Sequence, residues 1–139
     1  MVLATLTQPT QQKHGTLIKS AVVSLMKFPF PSSKLSGNNR TGHRYLTRER
    51  QAAREAGYWI VKESQIEILA VPLEMYIKIC PPDNRRRDND NVISAFKSYR
   101  DGMFQALGVD DSFVYRMVIE RGEVEKGGAL YVAVKQLEA

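Results

Sequence analysis

Nine residues carry most of the chemistry that this chain of 139 residues can offer: Asp83-Asn84-Arg85-Arg86-Arg87-Asp88-Asn89-Asp90-Asn91. In an extended backbone, Asp88 and Asp90 project to the same side, because strand side chains alternate. Two carboxylates held that close repel one another unless a cation lies between them. Mg2+ suits such a place, since it takes hard oxygen ligands and keeps waters or phosphate oxygens in its shell. The three arginines before the pair can clamp phosphate oxygens bidentately. A second reading needs no metal: Asp and Asn are favoured helix N-caps, acids near a helix amino terminus are stabilised by its dipole, and an arginine run can be a solvated loop. Further on, Asp110 and Asp111 supply a third acid if the sheet geometry returns one of them to the pair.

Composition narrows the classes. Apolar residues make up 43% and charged residues 25%, ordinary globular usage that argues against disorder or a fibrous chain. No apolar run reaches a membrane-span length and the amino terminus lacks a signal-peptide core, so a cytoplasmic protein without membrane attachment is expected. One cysteine, Cys80, and two histidines cannot assemble a structural zinc site of the usual kind, which leaves any metal on oxygen. The net charge of +5 is uneven: residues 1–65 hold ten Lys/Arg against three Glu, whereas residues 66–139 hold ten against twelve acids. A basic half fits a polyanionic partner such as nucleic acid, or simply a solvated surface.

The elements that must position the acids can be read from periodicity. Residues 1–19 show no sustained period and read as a flexible arm before a domain spanning 20–139. A first strand is expected over Ala21–Phe28, stopped by Pro29 and Pro31, then a polar loop over Ser32–Gly42. Thr47 is a plausible N-cap for a helix to about Lys62, packed through Tyr58 and Trp59. Leu73, Met75, Ile77 and Ile79 alternate with Glu74, Tyr76 and Lys78, which predicts a half-buried strand. After Pro81-Pro82, a helix runs from Asn89 or Asp90 to Leu107 with Val92, Phe96, Tyr99, Met103 and Leu107 on one face and Gly108 as its stop. Phe113, Tyr115, Met117 and Ile119 form another alternating run. A turn at Glu125–Gly128 leads to a strand that buries Leu130, Val132 and Val134. The expected class is α+β: one mixed sheet of about four strands covered by two main helices.

Several of these segments together resemble the RusA-type Holliday junction resolvases. The likeness rests on Pro81-Pro82, the run Arg85-Arg86-Arg87-Asp88-Asn89-Asp90-Asn91, the amphipathic helix and Val109-Asp110-Asp111. It extends to the Lys126-Gly127-Gly128 turn and to Phe28-Pro29-Phe30-Pro31 through Leu35–Arg40, so that it covers about residues 24–137. It implies a homodimeric Mg2+-dependent endonuclease, often encoded by phages or prophages, that cuts four-way DNA junctions in recombination and repair. Asp88 and Asp90 match the two catalytic acids of the motif, and Asp111 the third, with Asp110 as a possible substitute.

The family also places a lysine on the first turn of the helix, where this chain has Ser94. Lys97 is a candidate replacement, since seven residues return a helix to within about 20° at about 10 Å further along its axis. Lys126 is another. Arg85, Arg86 and Arg87, with Lys34, Arg40, Arg44 and Lys126, would hold the DNA backbone. His43 is expected beside phosphate or in solvent, and Phe28 or Phe30 could wedge between bases. A two-fold dimer suits a junction of approximate two-fold symmetry. Two rivals stand beside this reading: a non-catalytic DNA-binding module of a mobile element whose acids only cap a helix, and a metal-dependent nuclease for other branched DNA.

Overall fold

The computed structural model describes residues 2–7, 22–37, 43–68 and 70–137. Five strands build one sheet: β1 (Val2–Thr7), β2 (Val22–Pro29), β3 (Leu73–Cys80), β4 (Val114–Arg121) and β5 (Ala129–Gln136), in the spatial order β1-β2-β5-β3-β4. All neighbours are antiparallel except β3 and β4, which run parallel. The sheet is therefore mixed, and the class is α+β as the periodicity predicts. Helix α1 (His43–Ser64) packs on helix α2 (Asn89–Leu107), and α2 is the crossover that lets β3 and β4 lie parallel.

The alternation in β3 puts Met75, Ile77 and Ile79 against Val132, Leu130 and their neighbours on one face, where Phe28, Phe96 and Met103 close the core. Phe28 meets Phe96 edge-on at 5.1 Å, and Phe96 stacks on Tyr99 at 6.0 Å. Each such large side chain contributes about 1.5–3 kcal/mol by leaving water. The opposite face carries Lys27, Glu74, Lys78 and Arg116, with Tyr76 donating to Glu120 Oε2 at 2.8 Å. Two glycines let the helices meet backbone to backbone. A Cβ at Gly57 would lie 2.1 Å from the Tyr99 carbonyl oxygen, and one at Gly102 would lie 1.8 Å from that of Arg54.

Four expectations change. The sheet has five strands rather than about four, because Val2–Thr7, inside the segment read as a loose arm, pairs with β2. A strand of six residues with small polar members has little local signal, and its pairing is supplied by β2. Helix α1 starts at His43, not at a Thr47 cap. The earlier start brings buried Leu46 into line with Ala53, Gly57 and Val61 on the face against the core. Trp59 is 61% exposed rather than packed, with Tyr58 edge-on beside it at 5.2 Å. In β4, Tyr115, Met117 and Ile119 are exposed, since the strand lies at the edge of the sheet, beyond the cover of α2.

Candidate active site

The acid run occupies the crossing from the carboxyl end of β3 to the amino end of α2. In open sheets this is where strand ends leave room for ligands. Asp88 is the N-cap of α2: its backbone is extended (φ −90°, ψ 128°) and its Oδ1 accepts the Asp90 N–H at 2.9 Å. The capping reading is thus correct for Asp88, and it occupies one carboxylate oxygen of two. Asp90 stands exposed in the first turn, where the helix dipole favours its charge.

The loop before them is tied down on three sides. Arg87 donates from its guanidinium to Asp83 Oδ1 at 2.7 Å and to the Asp83 and Arg85 carbonyl oxygens at 3.3 Å, and it lies over the Phe30 ring at 5.3 Å. The hydrogen bond from Arg87 pulls the Asp83 carboxyl down to about 2. Arg121, at the end of β4, donates Nε to Asn89 Oδ1 at 2.5 Å and hydrogen-bonds the Arg87 carbonyl oxygen. Sequence reasoning missed Arg121. Nothing local marks it, because Arg116 and Glu120 are charged in the same strand.

Beside this loop opens a cleft of about 570 Å³. Phe30, Pro31 and Ser33 form one wall, Arg85–Asp88 the other, and Val92 and Ala95 the floor. The first wall is fixed to α2 by the Gly37 N–H, which donates to Ser94 Oγ at 3.0 Å. Ser94, where the resemblance leads one to expect lysine, therefore holds a loop. At the back, the Glu125 N–H donates to the Pro81 carbonyl at 2.9 Å, and Gly128 sits at φ +70°. A Cβ there would lie 2.8 Å from Phe30 and 2.9 Å from Pro82, so the turn needs glycine for both conformation and space.

Arg85 and Arg86 are exposed at the mouth of the cleft, whereas Arg87 is committed to Asp83 and Phe30 and acts as a brace. Lys126 lies exposed on the β4–β5 turn, at the same end of the sheet as the acids. Lys97 points the other way, with its ammonium 3.2 Å from Asp101 Oδ1, one turn further from Asp88 and Asp90. Lys34 is exposed on the 3-10 turn Ser33–Leu35. Arg40 falls outside the described residues; His43 and Arg44 belong to the first turn of α1, and their side chains are likewise outside the description. Phe28 is fully buried and cannot wedge between bases; Phe30 borders the cleft.

Asp111 is not beside the pair. It follows the far end of α2, separated from Asp88 by a helix of 19 residues, roughly 28 Å at 1.5 Å per residue. There it lies 3.8 Å from Arg100, while Asp110 accepts the Ser112 N–H at 3.0 Å, a bond that lowers the Asp110 carboxyl below the usual range. Among the described residues, no three His, Cys, Asp or Glu side chains gather closely enough to hold one ion. The carboxylates that could hold a divalent ion beside the arginine cleft are those of Asp88, which lines it, and Asp90, two residues on in the first turn of α2. One or two carboxylates plus phosphate oxygens is the usual protein share of a Mg2+ shell.

Comparison with known proteins shows the family of the chain. The family model described as endodeoxyribonuclease RusA matches residues 28–135. An uncharacterised protein of Xylella fastidiosa is 35% identical over 117 residues, covering 78% of this chain and 74% of its own. The crossover junction endodeoxyribonuclease of Enterobacteria phage 82 is 31% identical over 109 residues, 77% of this chain and 88% of its own. The protein of the same name from Escherichia coli K12 is 30% identical over the same shares. The residues matched by the family model take in the cleft, the acid run, the glycine turn, β3, β4 and nearly all of β5, and the chain belongs to the RusA family of endodeoxyribonucleases.

Proposed function

We propose that this protein is a Mg2+-dependent endonuclease that resolves four-way DNA junctions by paired incisions. The observation that carries the reading is Asp88, which caps α2 on the wall of a cleft whose mouth bears Arg85 and Arg86, with Asp90 two residues on in the first helical turn. Mg2+ supplies polarisation of the scissile phosphate and a lowered pKa for the attacking water. Asp88 and Asp90 hold it, and Arg121 keeps their loop in register through Asn89 and the Arg87 carbonyl. Arg85, Arg86, Lys34 and, from the basic amino-terminal half, Arg40 and Arg44 bind the DNA backbone in a salt-dependent manner. Lys126 is better placed than Lys97 to steady charge on the leaving oxygen, because Lys97 is turned toward Asp101.

The third acid enters through a second copy. β4 is an edge strand; it begins beside Asp111 and ends with Arg121 against the Asp88 loop. If two β4 edges pair antiparallel about a two-fold axis, the start of one strand lies beside the end of the other. The partner's Asp111 then faces Asp88 and Asp90. The same pairing covers the backbone groups of a free edge and the apolar strip Tyr115, Met117 and Ile119. It also yields two sites related by two-fold symmetry, as paired incisions require. A fixed synthetic four-way junction, a linear duplex and a flap, each incubated with and without Mg2+, test the reading. Symmetric nicks on the junction alone and only with metal are expected. Metal-independent binding without cleavage would favour a DNA-binding module, and cutting of the flap in preference to the junction a different branched-DNA nuclease.

A further inference from the structure

We propose that the cleft between Phe30–Pro31 and Arg85–Asp88 receives the unstacked base of the nucleotide next to the scissile phosphate. The proposal rests on the endonuclease reading above and adds a recognition step to it. Binding a phosphate backbone needs cations on a surface and nothing more. This cleft has more: an interior of about 570 Å³, an aromatic and proline wall, and a floor of Val92 and Ala95. That volume lies within the roughly 300–1,000 Å³ of pockets that enclose a small ligand, and apolar walls with a few polar groups are their usual chemistry.

A nucleobase is the part of DNA that matches such walls. Its π-faces stack on aromatic rings and on guanidinium planes. Phe30 offers the ring, and Arg87, fixed by Asp83, lies over that ring at 5.3 Å and braces it. Arg85 and Arg86 remain at the mouth for the phosphates on either side of the base. Asp88 belongs to the same wall, so a base seated in the cleft belongs to a nucleotide adjoining the phosphate at the acids.

The cleft is also preformed. Ser94 pins one wall, Arg121 and Asp83 pin the other, and Gly128 allows Phe30 and Pro82 to come together behind. A rigid base pocket discriminates between DNA structures. In a duplex every base is paired and stacked on both sides, whereas at a branch point stacking is interrupted and a base can be displaced at least cost. The cleft thereby favours branched DNA by a means that charge alone does not provide.

The test uses the full chain and a fixed junction carrying 2-aminopurine on either side of the cleavage point, with Ca2+ replacing Mg2+ to keep the DNA uncut. Binding is expected to raise fluorescence several-fold at one of the two positions in the junction and at neither in the duplex. Ser33→Leu narrows the mouth from an exposed position and should abolish the rise. Phe30→Leu keeps apolar volume but removes the ring, and should reduce it. No rise at either position, from protein that cuts the same junction in Mg2+, overturns the base pocket and leaves the nuclease reading standing. A rise that neither substitution alters also overturns it. Wild-type protein that neither binds nor cuts the junction removes the nuclease reading and the pocket together.

Discussion

Asp83 and Arg121 never touch a metal in this account, yet they decide whether Asp88 and Asp90 can. The Asp83 carboxyl, held at about 2 by the hydrogen bond from Arg87, lies below the roughly 3.9 of an unfolded aspartate. A depressed folded-state value means that the stabilisation is complete above the unfolded value and is lost as pH falls from about 4 toward 2. Thermal midpoints of wild type should therefore decline across that window, and Asp83→Asn should flatten that part of the decline. Arg121→Met removes both bonds to the acid loop. It should cut the cleavage rate by about 10–100-fold, the range for losing an outer-shell support of a metal site, with junction affinity nearly unchanged. Asp90→Asn keeps shape but not charge, and should bind junctions while cleaving more than about a hundredfold more slowly. The acids and Arg85–Arg87 were legible because they are consecutive in the sequence. Arg121 was not, because its partners lie 32 and 34 positions away and nothing local marks it.

At the level of elements, periodicity identified β3, α2, its Gly108 stop and the buried face of β5 correctly. It failed where burial depends on the third dimension. Phe113, Tyr115, Met117 and Ile119 alternate as a half-buried strand does, but all four are between 37% and 69% exposed because the described residues cover them only in part. The spacing argument for Lys97 likewise could not see that Asp101, four residues on, takes the ammonium. Glycines inside α1 and α2 were legible only as costs of about 1 kcal/mol each against alanine. The crossing explains them. Gly102→Ala would put a Cβ 1.8 Å from the Arg54 carbonyl oxygen, and should destabilise the fold by about 3 kcal/mol, the upper part of the overpacking range. Chemical denaturation should show it, where a surface Gly→Ala would stabilise.

For the whole molecule, the distance between Asp111 and the Asp88 loop is the main fact that sequence could not supply. Periodicity puts the acids at either end of a helix but does not say whether the sheet returns Asp111 to the Asp88 loop. Under the proposed pairing of two β4 edges, that separation becomes a requirement. Ile119→Glu puts a charge into the apolar strip without touching either acid, and should give folded protein of half the native mass by light scattering, with no paired incision. The most direct measurement is complementation between two inactive chains. Asp90→Asn and Asp111→Asn, differently tagged, are co-expressed, and the mixed dimer is purified through both tags. It should regain nicking of a four-way junction in Mg2+, because one of its two sites combines an intact Asp88–Asp90 pair with the partner's intact Asp111. A mixed dimer as inactive as either parent, or an Asp111→Asn homodimer that cuts at the wild-type rate, would contradict an ion held between two copies.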